Sequence, residues 1–189
     1  MTTISLLKLA HQHIQHTLRS GDVAIDATVG NGHDTVFLAE QVSPQGRVYG
    51  FDIQQVAIMA TTEKLQHNQL VDCVTLIQAS HADMAVHIPS QHHGNIKACM
   101  FNLGYLPKGD KAIITQTSST LLALTAACSL LAPQGLITIL AYSGHAGGDE
   151  ETDRVEQWAE QLDKQFSVNR FLSAIPSPSA PRLLVIQRR

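Results

Sequence analysis

The spacing of apolar residues changes repeatedly along the chain, and each spacing predicts one kind of element. Short, nearly continuous apolar runs predict strands, whereas apolar residues that recur every three or four positions predict helices. The predicted strands cover 23–25, 47–52, 73–78, 96–102, 136–142, 166–172 and 183–187. The predicted helices between them cover 33–42, 54–67, 82–87, 113–131 and a segment marked by Val155, Trp158 and Leu162.

An amphipathic helix is expected before the first strand, over about 3–19. Thr2, Thr3 and Ser5 are all suited to cap its start. Four apolar residues fall on one face of this helix: Ile4, Leu7, Ile14 and Leu18. The longest helix is predicted over 113–131, where apolar residues recur at helical spacing, and Pro133 and Gly135 are expected to end it.

Strands and helices alternate over most of the chain, and this order predicts the fold class. The expected architecture is α/β, with a doubly wound, mostly parallel, Rossmann-like sheet that carries helices on both faces. No helix separates the last two strands, so they are expected to form an antiparallel pair at one side of the sheet. At 189 residues and 44% apolar composition, one domain over 1–189 is expected. Ligands of such sheets bind beyond the carboxyl ends of the strands.

The charge of the chain limits the kinds of partner it is expected to bind, and its cysteines indicate the cellular compartment. A formal net charge of -3 argues against a basic field over the whole surface, so a nucleic-acid substrate needs a local patch or a second subunit. A homodimer is left open for that reason. Cys73, Cys99 and Cys128 form no C-x-x-C pair and are expected to be buried free thiols. Without an apolar run long enough for a signal peptide or a membrane span, the chain is expected to be cytoplasmic.

The stretch DATVGNGHDT, Asp26 to Thr35, predicts a ligand site after the first strand. Gly30 and Gly32 allow the backbone to approach a ligand closely, and the following helix presents backbone N–H groups. Asp52 ends the second predicted strand, where a carboxylate can accept hydrogen bonds from both hydroxyls of a ribose. A dinucleotide motif needs a third glycine where Thr35 stands. The alternative is an ordinary glycine turn without a ligand.

The spacing of an acidic residue, three others and then G-x-G resembles motif I of class I S-adenosylmethionine-dependent methyltransferases. The resemblance implies that the Gly30–Gly32 backbone lies beside the methionine part of the cofactor, with Asp26 near its amino group. It also implies that Asp52 binds the ribose, that Ile53 covers the adenine, and that Ser80 and His81 meet the adenine edge. The full set of predicted cofactor-binding residues is Asp26, Thr28, Gly30, Asn31, Gly32, His33, Asp34, Thr35, Asp52, Ile53, Gln54, Ser80, His81, Asn102 and Leu103.

A second motif, FNLGYLPKGDK, follows the fourth predicted strand. It resembles the (Asp/Asn)-Pro-Pro-(Tyr/Phe) motif of amino-group methyltransferases, although Leu103 and Gly104 replace the two prolines. The carbonyl of Asn102 can accept an amine N–H and so direct the amine's lone pair at a methyl group. An alkylammonium has no lone pair, and forming the neutral amine at pH 7 costs roughly 4.6 kcal/mol from a reference pKa near 10.4, unless the site lowers that pKa.

Four stretches together, DATVGNGHDT, GFDIQ, NLGYLPKGDK and YSGHAGGDEE, resemble a small bacterial family once labelled "putative rRNA methylases". That family is associated with methylation of the 5-aminomethyl group on the wobble uridine of tRNA. The resemblance implies S-adenosylmethionine as methyl donor and a primary amine on a modified uridine as acceptor. Asn102, Tyr105 and His145 are the predicted catalytic residues. The predicted substrate-binding residues are Gly104, Tyr105, Leu106, Pro107, Lys108, Lys111, Tyr142 and His145.

Other functions and sites remain open at this point. The acceptor could be ribosomal RNA, a protein amine or a small amine, and a non-catalytic cofactor-binding module is a further alternative. Asp149, Glu150 and Glu151 are expected to favour the start of a helix through its dipole. No metal is predicted, because the histidines do not match a metal-ligand spacing and no cysteine or carboxylate completes a site: His11, His13, His16, His92 and His93.

Overall fold

The sheet has seven strands in the part of the chain that the structure describes. The computed structural model describes residues 5–104, 114–144, 147–173 and 180–189. The strands are β1 (Val23–Asp26), β2 (Arg47–Asp52), β3 (Val74–Gln78), β4 (Ile96–Leu103), β5 (Leu131–Ala141), β6 (Phe166–Leu172) and β7 (Arg182–Arg188). The helices are α1 (Leu6–Thr17), α2 (His33–Val42), α3 (Gln55–His67), α4 (Met84–His87), α5 (Thr117–Leu130) and α6 (Gly148–Glu160).

The strand order is β3-β2-β1-β4-β5-β7-β6. The first five strands in the chain are parallel to one another, whereas β7 is antiparallel to both β5 and β6. The predicted fold class is confirmed, including the antiparallel pair at one side of the sheet. Because the chain moves outward from β1 to β2 and later returns to the other side of β1 at β4, the topological switch point lies between β1 and β4.

Both faces of the sheet are covered by helices. Successive residues of a strand point to opposite faces, so Ile25 and Phe101 join the cluster with α5, whereas Ala24 and Met100 join the cluster with α1 and α2. A strand buried on both faces has no polar side, which explains the continuous apolar runs in the sequence. The three cysteines are free and buried, as predicted.

The first helix is placed correctly, but one of its predicted core residues is not buried. Ser5 is the residue that caps it, since its Oγ accepts a hydrogen bond from the Lys8 backbone N–H at 3.3 Å. Ile14 and Leu18 are buried, as predicted. Leu7 is 37% exposed, because other apolar residues of the first turns carry the contact instead: Leu6, Leu9 and Ala10. Ile4 lies outside the described residues.

The boundary between α5 and β5 is where the predicted elements are wrong. The helix begins at Thr117 and ends at Leu130, and the strand begins at once with Leu131 rather than five residues later. Pro133 and Gly135 therefore lie within the strand and do not end the helix. They accompany a shift of register against β4, where Ile96 pairs with Leu131 and Ala98 already pairs with Leu136.

Two smaller corrections concern helix ends. α6 ends at Glu160, so Leu162 follows the helix instead of belonging to it. The short predicted helix over 82–87 is a 3-10 turn over His81–Asp83 followed by α4. Within the described ranges, no helix has both the length and the apolar character that crossing a membrane requires.

Candidate active site

The turn after β1 contains two glycines with positive backbone φ. Gly30 has φ 51° and Gly32 has φ 77°, and residues with a Cβ rarely adopt such values. Gly32 also precedes α2, and no side-chain hydrogen bond caps the helix there. A helix start of this kind presents its first backbone N–H groups to a polar ligand.

Helix α3 packs against this turn and holds its shape. Thr61 Oγ1 donates a hydrogen bond to the carbonyl oxygen of Gly30 at 3.3 Å, and Lys64 Nζ donates to that of Asn31 at 2.6 Å. A Cβ on Gly32 would lie 2.5, 2.7 and 2.9 Å from three atoms of the buried Thr61 side chain. Glycine at position 32 is therefore required by close packing as well as by φ.

Asp52 connects the end of β2 to the glycine turn. Its Oδ2 accepts from the Gly30 backbone N–H at 2.8 Å, and its Oδ1 accepts from the Gln54 backbone N–H at 2.9 Å. Each carboxylate oxygen has a second lone pair, so Asp52 can accept further hydrogen bonds from a ligand. The neighbouring Ile53 is 56% exposed and presents an apolar surface beside this carboxylate.

Asp26, at the end of β1, is fully buried. Thr35 Oγ1 donates to its Oδ2 at 2.6 Å, and the Thr28 backbone N–H donates to its Oδ1 at 3.1 Å. Burial first, and then the nearby charge of Asp34, raise the pKa of Asp26 from 3.8 to about 7. None of the ion pairs found among the described residues includes Asp26.

A second buried carboxylate, Asp34, joins three elements at the same place. Its Oδ1 lies 2.6 Å from Nε2 of His11 in α1, and its Oδ2 accepts a short hydrogen bond from Nδ2 of Asn102 at the end of β4. The Asn102 backbone N–H donates to Thr28 Oγ1 at 2.8 Å. Asn102 and the glycine turn are thus linked directly across the switch point.

Residues on both sides of the predicted substrate segment are tied to α6. Gly104 and Thr115 form two hydrogen bonds, one between backbone groups at 2.9 Å and one from the Gly104 N–H to Thr115 Oγ1 at 3.0 Å. The carboxylate of Glu151 accepts from Thr115 Oγ1 at 2.5 Å and from Thr120 Oγ1 at 2.7 Å. Glu151 is 3% exposed, so it anchors this region in addition to starting α6.

Four other predicted site residues differ in their exposure to solvent and in their hydrogen bonds. Tyr142 follows β5 and is 40% exposed; partial burial and then the charge of Asp34 raise the pKa of Tyr142. His81 is buried, with Nδ1 3.1 Å from the Ala27 carbonyl oxygen, and burial lowers the pKa of His81. Ser80 caps the 3-10 turn through the Ala82 N–H, and Leu103 is buried.

Several predicted residues lie outside the described residues: Tyr105, Leu106, Pro107, Lys108, Lys111 and His145. The structure adds residues that the sequence analysis did not assign to the site. The sequence relates His11 only to metal binding and Glu151 only to the helix dipole, because the signal for the site role of each is a contact between distant parts of the chain. In the described parts of the chain, no cluster of histidine, cysteine and carboxylate side chains is suited to hold a metal ion.

Comparison with known proteins gives consistent matches. The family described as "Putative rRNA methylase" matches residues 48–187. A chloroplast protein of Arabidopsis thaliana, named tRNA (mnm(5)s(2)U34)-methyltransferase, is 36% identical over 190 residues, which are 96% of this chain and 69% of that protein. The crystal structure of a "putative rRNA-methylase" from Clostridium thermocellum is 40% identical, with a TM-score of 0.95 and full coverage of both chains.

A protein from Streptococcus mutans described as "a putative methyltransferase", solved in complex with SAH, is 33% identical, with a TM-score of 0.89 and full coverage of both chains. The sheet order, the glycine turn and these similarities define a Rossmann-like methyltransferase that depends on S-adenosylmethionine. Within that class, the chain belongs to the "Putative rRNA methylase" family. The predicted resemblance is thereby confirmed.

Replacing Gly32 by alanine tests the close packing of the turn. Gly94 is the matched control, because it has a similar φ of 75° and nothing within 4 Å of a built Cβ. Gly94→Ala is expected to cost about 1 kcal/mol of unfolding free energy from backbone strain alone. Gly32→Ala is expected to cost roughly 1–3 kcal/mol more, because Thr61 must also move. Urea unfolding of both variants checks this, and equal losses would contradict it.

Replacing Asp26 by asparagine tests the burial of its carboxyl. Between about pH 4 and pH 7 the folded protein holds a proton on Asp26 that the unfolded chain has lost. The contribution of Asp26 to the unfolding free energy therefore falls as pH rises through this range, by on the order of 4 kcal/mol, and stays low above pH 7.

Asp26→Asn is accordingly expected to be more stabilising at pH 8 than at pH 5, measured by urea unfolding at both values. Asp149→Asn is the control, because Asp149 is exposed. The same stability difference at both pH values would show that burial does not shift the titration of Asp26.

Proposed function

We propose that this protein transfers a methyl group from S-adenosylmethionine to the 5-aminomethyl group of wobble uridine in tRNA. The product is 5-methylaminomethyluridine or its 2-thio form. One observation carries the proposal: Asn102 stands at the carboxyl end of β4 with its amide nitrogen held by Asp34. The 36% identity to a protein named tRNA (mnm(5)s(2)U34)-methyltransferase supports the choice of acceptor.

The polar groups around the glycine turn fit S-adenosylmethionine. The buried Asp26 carboxyl gains a favourable partner if the cofactor's amino group lies nearby, because a positive charge offsets its burial. Asp52 has lone pairs for ribose hydroxyls, and the exposed Ile53 suits one face of adenine. The start of α2 provides backbone N–H groups for the cofactor's carboxylate.

The remaining cofactor contacts stay predictions for the positions around this turn and beyond it: Thr28, Asn31, His33, Asp34, Thr35, Gln54, Ser80, His81 and Leu103. All but Leu103 follow strand β1, β2 or β3 in the chain, and Leu103 is the last residue of β4. When bound, S-adenosylmethionine supplies a methyl group on a positively charged sulfur, which makes that methyl carbon reactive toward a lone pair.

Asn102 has the orientation that an amine acceptor requires. An ionised carboxylate only accepts hydrogen bonds, so the Asn102 group that faces Asp34 must be the NH₂. The carbonyl oxygen Oδ1 then lies on the other side of the amide and accepts an N–H of the substrate amine. That hydrogen bond fixes the amine and leaves its lone pair free for in-line attack on the methyl carbon.

Residues beyond Asn102 complete the proposed substrate site. Tyr105 stacks on the flipped-out base, and Lys108 and Lys111 meet flanking phosphates. Tyr142 and His145, which follow β5 in the chain, contact the uracil. The whole chain, 1–189, acts as one domain in this proposal, a homodimer would add RNA-binding surface, and the free thiols suit a reducing cytoplasm.

The direct test uses tRNA that carries 5-aminomethyl-2-thiouridine at the wobble position. After incubation with the protein and S-adenosylmethionine, mass spectrometry of the nucleosides is expected to find one added methyl on that uridine. Asn102→Ala is expected to lower kcat by about 100-fold, because a hydrogen bond to the reacting nitrogen is lost, while cofactor affinity measured by calorimetry is retained.

No methyl transfer by a wild-type protein that binds the cofactor would overturn the tRNA assignment and favour ribosomal RNA, protein or small amines. Methylation of tRNA that has an unmodified wobble uridine would overturn the amine acceptor. Unchanged turnover by Asn102→Ala would remove the role assigned to Asn102.

The lysines of the substrate segment are tested by the salt dependence of tRNA binding. Replacing Lys108 and Lys111 together by alanine is expected to raise the KM for tRNA and to lower the slope of log KM against log salt by about 2, one for each lost phosphate contact.

The control is the double variant Lys97→Ala and Lys164→Ala, which removes the same charge. Lys97 lies near the start of β4 and Lys164 lies just before β6, at the opposite end of the sheet from Asn102. An equal effect of both double variants would show that the two lysines of the substrate segment act only through net charge.

A further inference from the structure

We infer that His11 of α1 is a positioning residue for methyl transfer: through Asp34 it holds the side chain of Asn102 in its working orientation. This inference rests on the proposed function, since it assigns Asn102 to the substrate amine. It adds the first helix, which precedes the glycine turn in the chain, to the groups that the reaction needs.

In the described part of the chain, each carboxylate oxygen of Asp34 has one side-chain donor. His11 Nε2 is 2.6 Å from Oδ1, and Asn102 Nδ2 donates to Oδ2. The Asp34 side chain is only 7% exposed, so water cannot readily replace a lost donor. Removing His11 leaves a buried carboxylate oxygen unpaired, and Asp34 must then turn or draw on its other partner.

The orientation of the His11 ring is set from two sides. The ring stacks on Phe37 with centroids 3.9 Å apart and an interplanar angle of 6°. Its Nε2 must carry the proton, because a carboxylate only accepts hydrogen bonds. Stacking on Phe37 therefore fixes the plane of the His11 ring, and the hydrogen bond to Asp34 fixes its direction within that plane. A residue that positions another side chain needs both to be fixed.

The backbone of Asn102 is held independently of His11. Its N–H donates to Thr28 Oγ1 at 2.8 Å, and the parallel pairing of β4 with β5 continues through Asn102 to Leu103. Loss of His11 is therefore expected to affect the side-chain amide of Asn102 and not the position of the strand. The carbonyl oxygen Oδ1 of Asn102 would then no longer point toward the substrate amine.

The other histidines of α1 do not share this position. His13 lies against Phe171, with ring centroids 5.5 Å apart, and His16 is exposed. His13→Ala is therefore the matched control, since it removes a partly buried histidine from the same helix without touching Asp34.

Two substitutions of His11 separate its hydrogen bond from its stacking. His11→Phe keeps an aromatic ring on Phe37 but has no N–H, whereas His11→Gln loses the ring but keeps an N–H donor. His11→Phe is expected to lower kcat about tenfold, in line with loss of a hydrogen bond to a charged group, with little change in the KM for S-adenosylmethionine. His11→Gln and His13→Ala are expected to stay within about threefold of the wild type.

A second readout needs neither substrate nor cofactor. The side-chain NH₂ signals of Asn102 in a ¹⁵N-labelled protein are identified by their absence in Asn102→Ala. They are expected to shift and to exchange faster with solvent in His11→Phe, and to stay near their wild-type positions in His11→Gln and His13→Ala. Thermal unfolding of each variant shows whether it is folded under the conditions of measurement.

A double-mutant cycle completes the test. In the Asn102→Ala background, His11→Phe is expected to cause no further loss of kcat, because both changes remove the same function. The inference is overturned if the Asn102 signals are unchanged in His11→Phe, if His11→Gln behaves like His11→Phe, or if the losses add in the double variant. Failure of the wild type to methylate tRNA would instead overturn the proposed function, and the NMR arm would still decide the role of His11.

Discussion

A carboxylate that is removed from water loses strong hydrogen bonds and must recover them from the protein. Asp34 recovers them from two elements that are distant in sequence, His11 of α1 and Asn102 of β4. Each of these two partners binds a different carboxylate oxygen of Asp34. This one side chain therefore connects the helix before β1, the segment after β1 that contains the glycine turn, and the end of β4. The arrangement of these three segments depends on this buried carboxylate.

The sheet topology explains why these groups meet. Strands β1 and β4 are neighbours at the switch point, and their carboxyl ends open onto the same space. The glycine turn leaves β1 there, with Asp52 of β2 holding the Gly30 N–H from the other side. Glu151 likewise joins Thr115 and Thr120 to α6. Acidic side chains thus tie together the segments at this edge of the sheet.

The fold class could be predicted from the sequence because strands and helices differ in the spacing of their apolar residues. The strand 166–172 was predicted with the bounds that the structure has, and the predicted glycine turn lies beside Asp52, as expected from the order of the strands. Periodicity failed where helix α5 runs directly into β5, since Pro133 and Gly135 interrupt a strand there and not a helix. It also could not identify His11 or Glu151, because the partners of these residues lie 23 and 31–36 positions away and are set by topology.

The proposed role of Asn102 is to receive the acceptor amine on its carbonyl oxygen, with Asp34 holding the amide nitrogen. A crystal structure with S-adenosylhomocysteine and an anticodon stem-loop that carries 5-aminomethyluridine is the most direct test. The amine nitrogen is expected within hydrogen-bond distance of Asn102 Oδ1 while Nδ2 remains on Asp34. An amine bound away from Asn102, or an Asn102 side chain that has left Asp34, would contradict it.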